Sequence, residues 1–385
     1  MPESSPGRVM MTTDAVGGVW QYSLELASGL CRRGVRVLLA AMGPAPSSAH
    51  MEAARAIRGL ALLHRPYRLE WMAGAEVDFE AAAAWLADLE AAFEPDIVQI
   101  NGYAHASLPW RCPVVLVCHS CVRSWWQAVR GGEAPAEWDA YSTRVADGLR
   151  RADLVVAPTQ SFLHAVQAIY DIRLPAACTI PNGRSGPFRA DSAKQPFVFS
   201  CGRAWDEAKG FDLVDRIAGR LPWPVFVAGS MQNTDGGVCR APAHAQMLGS
   251  LREDELASWL AHASLFLLPA RYEPFGLAVL EAAMSGCALV LGNLDTLREL
   301  WDGAARFVDA GDEDTLRASV IALIRDPLLR REMGGRARER ARLYTAERMV
   351  EGYVRAYRRA ARRSYATSGV SIVDPVYRQE IGLRR

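Results

Sequence analysis

Short apolar runs rich in β-branched residues alternate with longer amphipathic stretches along this chain, and the alternation breaks once near the midpoint before starting again. Runs at residues 7–13, 35–41, 96–100, 114–118, 153–157 and 178–180 read as strands with helical stretches between them, the order of a parallel sheet with crossover helices on both faces. Residues 181–196 are rich in Gly, Pro, Ser and charge, carry no period, and read as a linker. Strand-like runs resume at 197–201, 225–228, 265–268, 288–291 and 306–308, which predicts a second doubly wound unit. From residue 315 the pattern is helical, and 346–363 reads as one Arg-rich helix ahead of a short tail. The expected class is α/β: two doubly wound, Rossmann-like domains, 1–185 and 186–345, face each other across a cleft, and 346–385 crosses back toward the first. A length of 385 residues suits two cores better than one.

Composition narrows the function. A formal net charge of +1 argues against a general nucleic-acid binder, because gripping a phosphate backbone needs a basic excess. The 8 cysteines show no framework spacing, as expected of a reduced protein. No leader-like segment opens the chain and no apolar run approaches the roughly 18 residues of a membrane span. A cytoplasmic protein is expected, with weak peripheral contact at the inner face of the membrane conceivable through the Arg-rich C-terminal helix. Of the 44 basic residues only Lys194 and Lys209 are lysines, so a lysine here stands against a strong arginine bias.

In open α/β sheets ligands sit beyond the C-terminal ends of the strands, so the loops there are where chemistry belongs. The first, from Asp14 to Gly18, places paired glycines, Gly17 and Gly18, ahead of a helix whose N-terminus favours an anion, although a tight turn needs glycine anyway. It lacks the full dinucleotide fingerprint, which weakens an oxidoreductase reading. The second, Cys118-His119-Ser120-Cys121, admits a redox or half-zinc reading, but no second Cys pair with metal spacing accompanies it. His119 at a strand end can hydrogen-bond a substrate hydroxyl. Trp71, Trp110, Trp125 and Trp126 suit stacking on a sugar or aromatic acceptor and equally suit the core, and Asp14, Asn101, Trp125 and Trp126 are the acceptor-side candidates.

Two loops of the second half are richer. After the strand at 197–201, Arg203 offers a planar fork and Lys209 a point charge, together enough to neutralise a diphosphate. After the strand at 265–268 comes Glu273-Pro274-Phe275-Gly276-Leu277, whose amides near Phe275, Gly276 and Leu277 open a helix and can meet an anion. Glu281 follows along that helix among apolar residues and needs a partner, for which a ribose diol would serve. A glycosidase would place its two carboxyls about 5–9.5 Å apart. Eight residues of helix span about 12 Å, which fits that poorly.

The spacing Glu273-x7-Glu281, with Arg203, Lys209, Gly17, Gly18, His119 and the Asn182-Gly183 step ahead of the linker, resembles glycosyltransferase family 4, the retaining GT-B glycosyltransferases of the "glycosyl transferases group 1" type. The resemblance implies a GT-B fold, with an N-terminal acceptor-binding domain and a C-terminal domain for a UDP-, GDP- or ADP-sugar. It implies that Glu273 lies by the donor sugar, that Glu281 binds ribose hydroxyls, that Arg203 and Lys209 hold the diphosphate, and that His119 is an active-site histidine. It also implies no metal and no other cofactor, since the nucleotide sugar is a substrate. One departure is that Asp295 and Thr296 stand where many members have a glycine pair ahead of the glutamate matching Glu299. Asp312-Glu313-Asp314 reads as a helix cap and not a metal motif. Three alternatives stay open: a phosphorylase, a nucleotide-sugar epimerase, and a silent nucleotide-sugar binder.

Overall fold

The computed structural model describes residues 6–367 apart from 175 and 235, so the tail beyond 367, with its share of the C-terminal arginines, lies outside the described residues. Residues up to Thr179 form seven strands: β1 (Arg8–Asp14), β2 (Arg36–Met42), β3 (Leu60–His64), β4 (Ile97–Ile100), β5 (Val114–Val117), β6 (Leu154–Ala157) and β7 (Ala177–Thr179). Six more follow: β8 (Gln195–Cys201), β9 (Val225–Ala228), β10 (Gln246–Gly249), β11 (Ala263–Leu268), β12 (Ala288–Gly292) and β13 (Ala305–Val308). Every pairing is parallel, in the orders β3-β2-β1-β4-β5-β6-β7 and β10-β9-β8-β11-β12-β13. Both halves reverse direction once, between β1 and β4 and between β8 and β11, and such a switch point opens a crevice for ligands.

Helices cover both faces. The first half carries α1 (Gly18–Arg32), α2 (Ser48–Arg55), α3 (Phe79–Phe93), α4 (Val122–Arg130), α5 (Asp139–Arg151) and α6 (Gln160–Tyr170). The second carries α7 (Phe211–Ala218), α8 (Glu253–His262), α9 (Leu277–Met284), α10 (Asp295–Trp301), α11 (Glu313–Arg325) and α12 (Pro327–Ala341), before α13 (Ala346–Thr367). Strand alternation feeds two separate cores in each half: Val9 and Met11 of β1 enter one and Met10 the other, while Phe266 and Leu268 of β11 part company with Leu265 and Leu267. Two strands absent from the sequence reading, β3 and β10, are sheet edges: β10 mixes polar with apolar residues, and β3, although apolar over residues 60–63, is not buried on both faces as a central strand is, its alternate residues being exposed. Asp312 caps α11, its Oδ1 accepting from the Thr315 amide at 2.9 Å.

The C-terminal helix completes the first half. Met349, Val350, Tyr353 and Tyr357 of α13 join the core that holds Trp20, Leu26 and Leu30 of α1, and Gly29 is the point where the two helices approach. Deep burial of several large side chains at about 25 cal/mol per Å² makes this packing a substantial part of that core. Among the described residues no helix is long and apolar enough to cross a membrane.

Candidate functional site

The loops leaving β1, β4 and β5 in the first half meet the loops leaving β8 and β11 in the second. Asp14 ends β1 buried, its Oδ1 accepting from the Val16 amide at 2.7 Å. Gly17 follows with φ 84°, the left-handed region that glycine tolerates best, and a Cβ there would lie 2.9 Å from a guanidinium nitrogen of Arg203. A Cβ on Gly18 lies 3.3 Å from Leu277 at the head of α9. Both glycines thus sit where the second half closes on the first. Burial drives the Asp14 carboxyl up to about 6, against the Val16 amide and Arg203, which pull it down.

Arg203 and Lys209 both lie close enough to act on Asp206, each with a partner the sequence did not assign. Arg203 is bonded to Asp206 at 2.8 Å and lies over the Trp205 ring, with part of its fork still exposed. Lys209 Nζ is 2.8 Å from Glu273 Oε2, and the two side chains are 12% and 14% exposed. Asp206 is the hinge of this arrangement. It is buried, which works against its charge, yet Arg203 and Lys209 hold its carboxyl below the ordinary range. From the first half, Trp125 Nε1 donates to Asp206 Oδ1 at 3.1 Å. Trp125, read as an acceptor platform, therefore spends its polar edge fastening the halves together, while Trp126 packs edge-on against it.

Glu273 is held from within the second half, while its neighbour reaches across the cleft. Its carbonyl accepts from Thr296 Oγ1 at 2.6 Å, so a hydroxyl does structural work where a glycine would offer only backbone. Asp295 is exposed and lies beside Ser161 and His164 of α6. Glu299 caps α6, accepting from the Gln160 and Ser161 amides at 2.8 Å each. Tyr272, next to Glu273, reaches into the first half, where its hydroxyl accepts from the Cys121 amide at 3.2 Å and meets Ser124 at 2.7 Å. Buried Phe275 anchors the turn, and Gly276, at φ 87°, opens α9.

His119 and Asn101 form the floor on the first half. His119 Nε2 is 3.2 Å from Asn101 Oδ1, which also accepts from Gln99 Nε2 at 2.9 Å, while Asn101 Nδ2 donates to the Thr12 carbonyl at 2.8 Å. Because a carbonyl oxygen only accepts, the imidazole carries its proton on Nε2 and leaves Nδ1 as an acceptor. Burial lowers its pKa to about 3, so the ring is neutral at physiological pH. Tyr357 of α13 donates to Gln99 Oε1 at 2.6 Å, which ties the C-terminal helix to this floor. The neighbouring Cys118 and Cys121 are buried free thiols whose pKa values burial raises, the opposite of an activated redox pair.

The partner that Glu281 requires is Arg184, a linker residue that the sequence reading passed over. Arg184 Nε donates to Glu281 at 2.8 Å, and its other two nitrogens reach Glu25 of α1 at 2.9 Å and Glu253 of α8 at 2.7 Å. The second lysine, Lys194, is structural: its Nζ donates to the Leu260 and Ser285 carbonyls at 3.0 and 2.6 Å.

Residues 16–185 match the family described as Glycosyltransferase Family 4, and residues 189–340 match Glycosyl transferases group 1. The O-antigen chain mannosyltransferase B of Escherichia coli is 25% identical over 165 residues, 43% of this chain and 38% of that protein. The chain thus spans well under half the length of this curated relative. Among solved structures, sucrose-phosphate synthase from Thermosynechococcus elongatus superposes with a TM-score of 0.76 at 16% identity, over 94% of this chain and 99% of that one. Anabaena HepE in complex with UDP-glucose gives 0.69 at 14% identity, over 94% and 100%. With two all-parallel sheets meeting at their switch points and both halves matched in order, the chain belongs to the family 4 and group 1 glycosyltransferases and has their GT-B fold.

Proposed function

We propose that this protein is a retaining, metal-independent hexosyltransferase that moves a sugar from a nucleotide-diphosphate donor to a glycan, lipid-linked or small-molecule acceptor. The observation that carries the proposal is the pairing of Lys209 with Glu273 at the head of α9, beside Arg203 at the Gly17 turn. When the bond from the anomeric carbon to the diphosphate stretches, the carbon gains positive character and the leaving oxygen negative charge. Lys209 stands beside a carboxylate able to face the first, and can itself face the second together with Arg203 and the α9 amides. Such fixed charges act strongly in a closed cleft, where little water competes.

His119, neutral with a free Nδ1, suits accepting a hydrogen bond from a sugar hydroxyl. It is unsuited to serving as a cationic acid, because burial opposes its charge. In a retaining reaction on one face of the sugar, the departing phosphate oxygen can take the acceptor proton, so no dedicated protein base is needed. Glu281 suits the ribose hydroxyls, and Asp14, Asn101 and Trp126 line the acceptor side. The UDP-glucose in HepE and the mannosyl transfer of the E. coli relative support a nucleotide sugar without choosing its base.

The test is to incubate the protein with UDP-, GDP- and ADP-sugars and an acceptor panel, with excess EDTA, and to measure nucleoside diphosphate release and product anomeric configuration. Acceptor-dependent release with retained configuration is expected. Release that requires inorganic phosphate, or an epimerised donor with no release, would move the protein to the phosphorylase or epimerase reading. A cytoplasmic location with weak electrostatic contact at an anionic membrane belongs to the same proposal, since α13 uses its apolar face on α1 and offers mainly arginines outward. Salt-sensitive pelleting with anionic but not neutral vesicles is the expected sign.

A further inference from the structure

Three carboxylates converge on one guanidinium behind the donor site. Arg184 is 5% exposed, Glu25 and Glu281 are each 7% exposed, and Glu253 stands at the rim with 42%. The three acids come from three elements around the proposed donor pocket: Glu25 from α1, the helix that starts at the Gly17-Gly18 turn, Glu253 from the first residue of α8, and Glu281 from α9. Arg184 itself is fixed from behind. Its amide donates to the Tyr344 carbonyl at 3.1 Å, its carbonyl accepts from the Ala346 amide at 3.3 Å, and its guanidinium lies 5.1 Å from the Phe188 ring centroid. Ser185 adds a hydroxyl to Glu25.

We propose that Arg184 is a positioning residue for donor binding: it holds the Glu281 carboxylate ionised and oriented so that both ribose hydroxyls can donate to it. This rests on the reading of Glu281 as the ribose carboxylate. Each of the three guanidinium faces serves a different acid, and no ammonium can copy that, because a lysine nitrogen is a single point that cannot span three diverging carboxylates. Without the cation, two buried carboxylates and a third at the rim would face one another with nothing between them. Like charges this close do not all remain ionised, so a proton must enter the cluster. Burial already raises the Glu281 pKa, and Arg184 is the group that opposes this, while Glu253 and Glu25 add to the rise.

The other charged or titratable groups near this cluster cannot replace Arg184. Cys201 at the end of β8 is a buried thiol whose pKa burial and Glu281 push upward. Arg189, Arg338 and Arg342 line the cavity on the far side of Arg184, and among the described residues none is within ion-pair distance of Glu281. A protonated Glu281 loses one acceptor for the ribose diol. Donor affinity in a variant lacking Arg184 must therefore recover as rising pH removes that proton.

The experiment measures Kd for a nucleotide sugar between pH 6 and 8.5 by calorimetry, using whichever of UDP-glucose, GDP-mannose and ADP-glucose binds the full chain. The diphosphate diester of these probes keeps its charge over that range, and the ratio of variant to wild-type Kd cancels other titrating groups, Asp14 among them. Arg184→Gln is expected to raise the ratio at least tenfold at pH 6.5, shrinking several-fold by pH 8.5, with donor KM moving more than kcat. Arg184→Lys keeps the charge and guards against a Gln variant that does not fold; it is expected to give a smaller rise with a shallower slope, because a cation still opposes protonation of the cluster. A folded variant with a ratio near one throughout, or with a loss that does not change with pH, would overturn the positioning role while leaving the donor site standing. A wild-type chain that binds none of the three sugars would overturn the donor-site reading, and this inference with it.

Discussion

Asp14→Asn should stabilise the free protein, and the size follows from the site. Asp14 is buried at the end of β1, and its pKa rises from 3.8 to about 6 on folding. A folded-state pKa above the unfolded value means that the protonated form is favoured by the fold. Its stabilising effect is complete below the unfolded pKa and is lost as pH rises through the folded one. At pH 7 to 8 the ionised carboxyl therefore costs about 3 kcal/mol. Asparagine keeps the oxygen that accepts from the Val16 amide at 2.7 Å and removes the charge. Urea unfolding followed through the first half should show a gain of about 2–3 kcal/mol at pH 7.5 that shrinks below about 1 kcal/mol near pH 4. Equal gains at both pH values would show that charge burial is not the cause. A loss of stability at pH 7.5 would show that the Arg203 attraction outweighs burial.

Lys209→Ala should lower kcat on the order of 10² to 10³, with Lys209→Arg recovering only part, since a planar fork does not fit where one nitrogen meets Glu273 at 2.8 Å. Turnover near wild type in a folded Lys209→Ala protein would remove it from the diphosphate. Glu273→Gln should depress kcat with a smaller change in donor KM, because its charge matters most as the sugar becomes cation-like, and the reverse split would assign it to ground-state binding. Tyr357→Phe removes the 2.6 Å bond to Gln99 and should cost about 1 kcal/mol of stability and a several-fold loss of kcat through Asn101 and His119. Lost stability with unchanged kinetics would confine Tyr357 to a structural role.

Most of the fold was legible because the central strands are continuous apolar runs that only a doubly covered parallel sheet can use. Two of the four sheet edges, β7 and β13, were read, but β3 and β10 were not: both are short and half exposed, and β10 mixes polar with apolar residues. The site was legible wherever a loop after a strand carried its chemistry within a few residues, as with Arg203 and Lys209 or Glu273 and Glu281. It was silent wherever a partner came from far along the chain. Glu281 demanded a cation, but nothing local distinguishes Arg184 from the other arginines of an arginine-rich chain. Tyr357 lies 258 positions from Gln99, and no spacing rule spans that distance. The arginine bias that made Lys209 conspicuous marked Lys194 equally, and only its three-way contact with two carbonyls and Cys287 shows a packing role.

The contacts between the halves divide into two kinds, and the division bears on how the cleft could work. One kind is exposed and polar, as in the Arg130–Glu207 pair, whose side chains are 48% and 52% exposed, and such a pair is worth little and yields readily. The other is buried and involves residues of the candidate site. Trp125 holds Asp206, which orients Arg203; Tyr272 reaches Cys121 and Ser124 from the residue beside Glu273; Arg184 spans Glu25 and Glu281. Separating the halves through the second kind would leave Asp206, Arg203 or Glu281 with an unmet partner in a poorly solvated place, a cost of a few kcal/mol for each buried charge. A donor that supplies charge and hydroxyls to those same groups would offset part of that cost. On the proposed function, the groups that would bind the donor also set how tightly the cleft is held, and changing one should change both.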